Sequence, residues 1–239
     1  MLARLKSAIK GALAYRPLAE TAEPREHIVR TARPGYPFCP PDEGDFLHAL
    51  IVGHGCKACL ETGFGTGSTA LYMLHATRAT HGRVTSIDWS ADEFNRLGRE
   101  LLAASPDAAR HRLIEEPSEL VLPRLALAGE AFDFVFVDGW KSFDQLAFEA
   151  FLLNRMLPVG GIVCYDDAVN ASVRAMIRLL KAYYGYVEVP RRASGGEGRR
   201  RLFEILTRRT WHRPYRALRK AVATEAQAPR RDGYFYCPI

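Results

Sequence analysis

Between Lys57 and Arg209, short apolar segments rich in strand-forming residues alternate with longer segments of helical periodicity. The clearest strand is Phe132–Asp138, whose almost unbroken apolar run indicates a central strand buried on both faces. Strands that alternate with helices in this way form a doubly wound, mostly parallel α/β sheet. The pattern predicts four more strands and five helices: strands at 58–61, 83–88, 112–115 and 162–165, and helices at 68–76, 91–104, 118–127, 143–156 and 171–184.

Two further strand segments, 186–189 and 202–207, have no helical segment between them. We expect them to pair as an antiparallel hairpin at one edge, which gives a sheet of seven strands. The domain built on this sheet is placed at residues 37–209, and it begins with a helix that extends to about Val52. Residues 1–36 are predicted to form a helix and an extended linker.

Positive charge is concentrated near the end of the chain. Residues 191–239 contain 13 Arg or Lys and 4 Asp or Glu, whereas the whole chain has a net charge of +6. We interpret residues 210–239 as a basic C-terminal tail with one short helix at 215–223. Such a tail is either a solvated surface or a contact for nucleic acid, an anionic membrane or an acidic partner.

The cellular compartment is indicated by what the sequence lacks. No apolar stretch reaches about 18 residues, and the first residues carry charges instead of the apolar core of a signal peptide. The five cysteines are scattered and fit neither a disulfide framework nor a paired zinc motif. We therefore expect a cytoplasmic protein.

A glycine-rich segment follows the first predicted strand and opens a helix. Gly63, Gly65 and Gly67 allow a tight turn and a close approach of a ligand to the backbone. The helix that begins near Ser68 offers free N–H groups to an anionic ligand group. Asp88, at the end of the second strand, provides a carboxylate that can accept hydrogen bonds from both hydroxyls of a ribose. Ligands of doubly wound sheets bind at this edge, outside the carboxyl ends of the strands.

Two adenosine-containing cofactors use such an arrangement. The dinucleotide fingerprint G-x-G-x-x-G would require glycine at position 68, where this chain has Ser68. The spacing G-x-G-x-G, with Glu61 two residues ahead, instead resembles the first motif of class I S-adenosylmethionine-dependent methyltransferases. That resemblance implies a Rossmann-like fold and S-adenosylmethionine as the cofactor.

The order of motifs narrows this resemblance. The segments 41–47, 61–68, 85–88 and 132–138 follow one another as in the catechol and caffeoyl-CoA O-methyltransferase group. Over residues 40–170, the chain is similar to that group. The resemblance implies that the cofactor is held by the following residues: Glu61, Gly63, Gly65, Gly67, Ser68, Asp88, Trp89, Ser118, Glu119, Asp138 and Trp140.

The same resemblance defines a reacting end. Asp138 matches an aspartate that binds Mg²⁺, and Lys141 matches a lysine that deprotonates the attacking hydroxyl. Asp166 matches a second metal ligand, and Asp167 stands where the family has asparagine. Carboxylate oxygens are suitable ligands for Mg²⁺ or another divalent cation. The resemblance thus implies Lys141 as the catalytic residue and Asp138, Asp166 and Asp167 as the metal ligands.

The leading hypothesis is S-adenosylmethionine-dependent O-methylation of a small hydroxylated acceptor, by a chain that could form a homodimer. Three alternatives stay open. One is an RNA or protein methyltransferase that grips its substrate with the basic tail, although no recognised RNA-binding module is present. Another is an inactive, methyltransferase-like binding module. The last is a nicotinamide-dependent oxidoreductase, which Ser68 disfavours.

Overall fold

The computed structural model describes residues 15–89, 92–190 and 214–224. They form a seven-stranded sheet in the order β3-β2-β1-β4-β5-β7-β6. The first five strands are parallel to one another, and the last two are antiparallel to their neighbours. The strands are β1 Ala58–Thr62, β2 Arg83–Ile87, β3 His111–Ile114, β4 Phe134–Val137, β5 Ile162–Tyr165, β6 Tyr186–Glu188 and β7 Arg216–Lys220.

Helices follow the strands as the sequence predicts, with ends that differ by a few residues at most. The helix predicted at 91–104 is seen from Asp92, and its first predicted residue lies outside the described residues. The helices are α1 Ala22–Thr31, α2 Pro41–His54, α3 Ser68–Ala76, α4 Asp92–Ala103, α5 Ser118–Leu127, α6 Phe143–Met156 and α7 Ala171–Tyr183.

The central strand β4 shows why both faces of the sheet are covered. Side chains alternate between the two faces of a strand. Phe134 and Phe136 pack into a cluster with α2 and α3, while Val135 and Val137 pack into a second cluster with α5, α6 and α7. All four side chains are fully buried. An apolar run without polar alternation is what such a two-sided environment requires.

The last strand corrects one prediction. Residues 215–223 were expected to form a short basic helix, but Arg216–Lys220 form β7, which pairs with both β5 and β6. The two strands at the edge are antiparallel, as predicted, but the strand that pairs with β6 is β7. The predicted strand 202–207 lies outside the described residues. The sheet therefore extends beyond residue 209, where the sequence analysis ended the domain.

Specific contacts explain why β7 is extended despite its helix-forming composition. Leu218 is fully buried, and Lys220 Nζ donates to the carbonyl oxygens of Asn154 and Leu157 at 2.5 and 2.9 Å. Arg216 forms a two-point ion pair with Glu188 on β6, at 2.9 and 2.6 Å. Strand pairing and burial outweigh the local helix propensity here, because Arg216 and Lys220, the charged residues of β7 that are not exposed, both find partners.

The N-terminal segment is tied to α2 through one carboxylate. Asp45, which is buried, accepts hydrogen bonds from the Tyr15 hydroxyl, the Thr21 hydroxyl and the Leu18 amide. α1 lies in the region where a helix was predicted, and residues 1–14 lie outside the described part of the chain. Among the described residues, no helix has the length and apolar character that crossing a membrane requires.

Candidate functional site

A cavity of about 710 Å³ lies at the carboxyl ends of the parallel strands. The register pairs Thr62 with both Ile87 and Val137, and Val137 with Tyr165. The residues that follow these strand ends therefore meet at one edge of the sheet. Most predicted site residues line the cavity: Gly63, Gly65, Ser68, Asp88, Trp89, Ser118, Glu119, Asp138, Trp140 and Asp166. Glu61, Gly67, Lys141 and Asp167 are not among the lining residues.

The three glycines serve different purposes in the loop between β1 and α3. Each has a positive φ, which side chains rarely tolerate. A Cβ on Gly63 would lie 2.5 Å from the Asp138 carbonyl oxygen, so this glycine lets the loop pass close to the end of β4. Gly67 is packed against Phe64 and Gly98, whereas Gly65 faces open space and is required by its backbone conformation alone.

Asp88 joins the end of β2 to this loop. Its Oδ2 accepts the amide N–H groups of Phe64 and Gly65 at 2.7 and 2.6 Å. The carboxylate is thereby oriented at the cavity wall by the glycine loop. That this carboxylate binds the ribose of the cofactor stays a prediction.

Glu61 lies behind the loop. It is fully buried and accepts hydrogen bonds from Ser86 on β2 at 2.6 Å and from Thr69 on α3 at 2.8 Å. Burial raises the pKa of Glu61 to about 8. The structure therefore gives this residue a supporting position that links β1, β2 and α3, although the sequence analysis grouped it with the residues that touch the cofactor.

A polar network supports one end of the cavity. Ser118 Oγ donates to Glu149 Oε1 at 2.7 Å, and Gln145 Nε2 donates to Ser118 Oγ at 2.9 Å. Thr62 Oγ1 donates to the other oxygen of Glu149 at 3.3 Å. Burial raises the pKa of Glu149, which is 1% exposed. Sequence reasoning missed Gln145 and Glu149, because neither belongs to a recognisable motif.

Two tryptophans border the cavity with most of their surface uncovered. Trp89 is 72% exposed and Trp140 is 77% exposed, and both line the cavity. Large aromatic side chains that remain exposed are a good surface for stacking a flat ring. That Trp89 and Trp140 contact the cofactor stays a prediction.

A cluster of carboxylates lies at another part of the same cavity. Glu43, Asp138 and Asp166 each place one oxygen within 4.8 Å of the others. The sequence analysis predicted Asp138 and Asp166 as ligands but named Asp167 as the third. Asp167 is at a turn with φ of 51°, its side chain is 50% exposed, and it is not part of this cluster. Glu43 is the residue the sequence analysis missed, although it lies in the motif at 41–47.

Charge and burial perturb this cluster strongly. Burial, together with the negative charges of Asp166 and Asp138, raises the pKa of Glu43 to about 9. Burial also raises the pKa of Asp138, and Lys141 opposes that shift. Lys141 Nζ donates to Asp138 Oδ1 at 2.9 Å and to the Gly139 carbonyl oxygen at 3.0 Å. Strong perturbation of several acids in one cavity is typical of functional sites.

The segment between α1 and α2 forms a wall of the cavity. Thr66 Oγ1 donates to the Pro37 carbonyl oxygen at 2.6 Å, and the Cys39 amide donates to Ser68 Oγ at 2.8 Å. Pro37, Phe38, Cys39 and Pro40 all line the cavity. The segment before α2 is thus held against the glycine loop, and it brings Glu43 to the site.

Comparison with known proteins agrees with this geometry. Residues 60–168 match the family described as "Methyltransferase domain". The fold resembles the crystal structure of an O-methyltransferase from Bacillus cereus in complex with SAH, with a TM-score of 0.63 at 15% identity. That alignment covers 91% of this chain and 97% of the other. The fold and the cavity thus define a Rossmann-like methyltransferase domain.

Proteins similar in sequence show the family to which the chain belongs. The chain is 31% identical to an O-methyltransferase relative from Mycobacterium sp. (strain JLS) over 180 residues, which are 68% of this chain and 80% of the relative. It is also 31% identical over 140 residues to caffeoyl-CoA O-methyltransferase 1 of Eucalyptus globulus, covering 56% of this chain and about half (54%) of that enzyme. The chain belongs to the S-adenosylmethionine-dependent O-methyltransferase family.

Proposed function

We propose that this protein transfers the methyl group of S-adenosylmethionine to a hydroxyl group of a small acceptor, and that a divalent cation assists. The observation that carries the proposal is the presence of two kinds of site in one cavity. The glycine loop, Asp88 and the exposed tryptophans form one part. The carboxylates of Asp138 and Asp166 lie at the other. A volume of about 710 Å³ lies within the usual range for small-molecule sites.

The residues of the first part suit the cofactor. Asp88 offers a carboxylate for the ribose, and Ser68 and Thr69 at the start of α3 line the same cavity. Ser118, Gln145 and Trp140 provide hydrogen-bonding groups and an aromatic surface for the adenine. Acidic side chains at the other end suit the positive charge of the sulfonium and of the amino group. The protein thereby holds the donor in one orientation.

The residues of the second part suit a reaction at oxygen. Hydroxyls are much better nucleophiles as anions, and methyl transfer needs the two reacting atoms in line. Asp138 and Asp166 would hold the cation, which when bound lowers the pKa of the acceptor hydroxyl. Lys141 is the candidate proton acceptor, although its ammonium group is paired with Asp138 in this structure.

Turnover with labelled S-adenosylmethionine tests this proposal. Catechols and hydroxycinnamoyl esters should accept label in the presence of Mg²⁺ or Mn²⁺, and chelation should abolish the transfer. Label transfer that survives chelation would contradict the cation part. Tight cofactor binding without transfer to any hydroxyl would favour a binding module, and label on RNA or protein would favour a polymer substrate.

A further inference from the structure

We propose that Glu43 is the third carboxylate ligand of a divalent-cation site, together with Asp138 and Asp166, and that Asp167 is not a ligand. This inference rests on the proposed function, since it specifies the site that would hold the assisting cation. It differs from the ligand set that the sequence motifs imply. The difference concerns residues on separate elements, because Glu43 comes from α2 and Asp167 follows β5.

The three carboxylates are close enough together to share one ion. Oxygen ligands lie roughly 2.0–2.6 Å from Mg²⁺ or Ca²⁺, so oxygens around one such ion are within about 4–5 Å of each other. One oxygen each from Glu43, Asp138 and Asp166 satisfies this limit, with all separations within 4.8 Å. No shift of the backbone is needed to bring the three acids around one ion.

Glu43 is buried, and its carboxylate has no hydrogen-bond or ion-pair partner in the part of the chain that the structure describes. Only 7% of this residue is exposed, and it lines the cavity. Within the described ranges, no hydrogen bond or ion pair reaches its carboxylate, and its nearest charged neighbours in the cavity include the carboxylates of Asp138 and Asp166. Burying a charge is costly unless it is paired or bound to a metal.

Other buried acids of the chain show the contrast. Glu61 accepts hydrogen bonds from two hydroxyls, Glu149 from three side chains, and Asp45 from two hydroxyls and an amide. Each of these acids is satisfied by the fold itself. Glu43 differs from them, because its carboxyl has no hydrogen-bond donor among the described residues, and the negative charges of Asp166 and Asp138 oppose its ionisation more than Lys141 favours it. A cation between the three carboxylates would remove that repulsion.

Asp167 is placed for a different interaction. Its side chain is half exposed, and its Oδ2 lies 4.0 Å from Lys141 Nζ. The left-handed backbone at this residue turns the chain immediately after Asp166. Lys141 therefore lies near Asp167 and donates to Asp138. The carboxylate oxygens that lie close enough together to bind one cation belong to Asp138, Asp166 and Glu43.

Binding of Mn²⁺ alone, measured by electron paramagnetic resonance and by calorimetry on the full chain, tests the inference without any turnover. Glu43→Gln should weaken Mn²⁺ binding by about tenfold or more, and Asp166→Asn should weaken it similarly. Asp167→Asn should stay within about twofold of the unchanged protein. Asp42→Asn is the matched control, because it removes a charge next to Glu43 from a residue outside the cluster.

The controls separate ligation from charge and from misfolding. Calorimetric binding of S-adenosylmethionine in the absence of metal should be preserved in Glu43→Gln, which shows that the variant is folded. Equal weakening by Asp42→Asn and Glu43→Gln would mean that only net charge matters, and would overturn the inference. Mn²⁺ affinity unchanged in Glu43→Gln, or lost in Asp167→Asn, would also overturn it. Absence of Mn²⁺ binding in the unchanged protein would refute the cation site altogether, whereas normal Mn²⁺ binding without methyl transfer would refute only the proposed activity.

Discussion

Lys141 Nζ lies 2.9 Å from Asp138 Oδ1, so the candidate proton acceptor and a candidate cation ligand form an ion pair three residues apart. The lysine side chain is only 13% exposed, and its backbone carbonyl accepts a hydrogen bond from the Ser172 hydroxyl at 2.6 Å. α7 thereby fixes the loop that carries both residues. The pair couples the protonation of one residue to the charge of the other.

We expect Lys141→Met to lower kcat by about 10²–10⁴-fold, the usual contribution of a general acid or base. Lys141→Arg separates the two roles of this residue, because arginine keeps the positive charge beside Asp138 but does not accept a proton at neutral pH. If Lys141 is the base, both variants lose activity and the limb of the pH–rate profile on which the rate rises with pH changes, because that limb reports deprotonation of the base. Activity restored in Lys141→Arg would instead show that the residue only positions Asp138.

Asp88→Ala should weaken S-adenosylmethionine binding by about 2–4 kcal/mol, because two charge-assisted hydrogen bonds to the ribose would be lost. The same change also removes the acceptor for the Phe64 and Gly65 amides, which loosens the glycine loop. Asp88→Asn retains an oxygen acceptor and should have a smaller effect. Calorimetry measures both, and unchanged affinity in Asp88→Ala would contradict the assignment of the ribose site.

Glu149→Leu should raise the Kd for S-adenosylmethionine by several-fold while leaving Mn²⁺ binding unchanged. The reason is that Ser118 and Gln145 would lose the acceptor that orients them at the cavity wall. Glu149→Gln keeps one oxygen acceptor and should be milder. A parallel loss of cofactor and Mn²⁺ affinity would indicate general unfolding and would argue against a local effect at the adenine end.

His111 predicts a dependence of stability on acid. Burial lowers the pKa of this residue to about 4, while an unfolded histidine titrates near 6.5. The unfolded chain therefore binds the proton first, so the stability that neutral His111 contributes is present above pH 6.5 and is lost as pH falls toward 4. The loss is about 3 kcal/mol at most. Denaturant unfolding between pH 4.5 and 7.5 should show a weaker acid dependence in His111→Gln, and identical slopes would refute this.

Leu218→Ala should destabilise the protein by about 2–5 kcal/mol, because its side chain is fully buried in the middle of β7. Arg219→Ala, at the next residue on the exposed side of the same strand, should change stability by no more than about 0.5 kcal/mol. Thermal and denaturant unfolding measure the difference. Equal effects of the two substitutions would mean that β7 is not packed as the structure shows.

The sequence predicts the parallel part of the sheet because each strand carries its own local pattern. The segment Phe134–Val137 is apolar at every position, and the glycines after β1 mark the turn that follows that strand. β7 was not predicted, because its own residues carry no local strand pattern. Its residues favour a helix locally, and it becomes a strand only through pairing with β5 and β6, which lie far away in the sequence.

The site residues also divide into those that the strand pattern predicts and those that only the packing of the fold brings to the cavity. Asp88, Asp138 and Asp166 could be placed together because each follows a parallel strand, and such strand ends meet at one edge. Glu43 lies at the beginning of a helix outside this alternation, and only the packing of α2 brings it to the cavity. Asp167 adjoins Asp166 in sequence, but the left-handed backbone between β5 and α7 separates their roles.

The place of β7 between β5 and β6 has a consequence for synthesis on the ribosome. Among the described strands, β6 pairs only with β7, so this neighbour is not yet made when Glu188 emerges. At roughly 5–20 residues per second, the chain takes about 2–6 s more to reach Lys220. Throughout that interval, the edge of β5 is open to any other extended segment. Nascent chains that stall before residue 216 should therefore depend on chaperones more than chains that stall after residue 220.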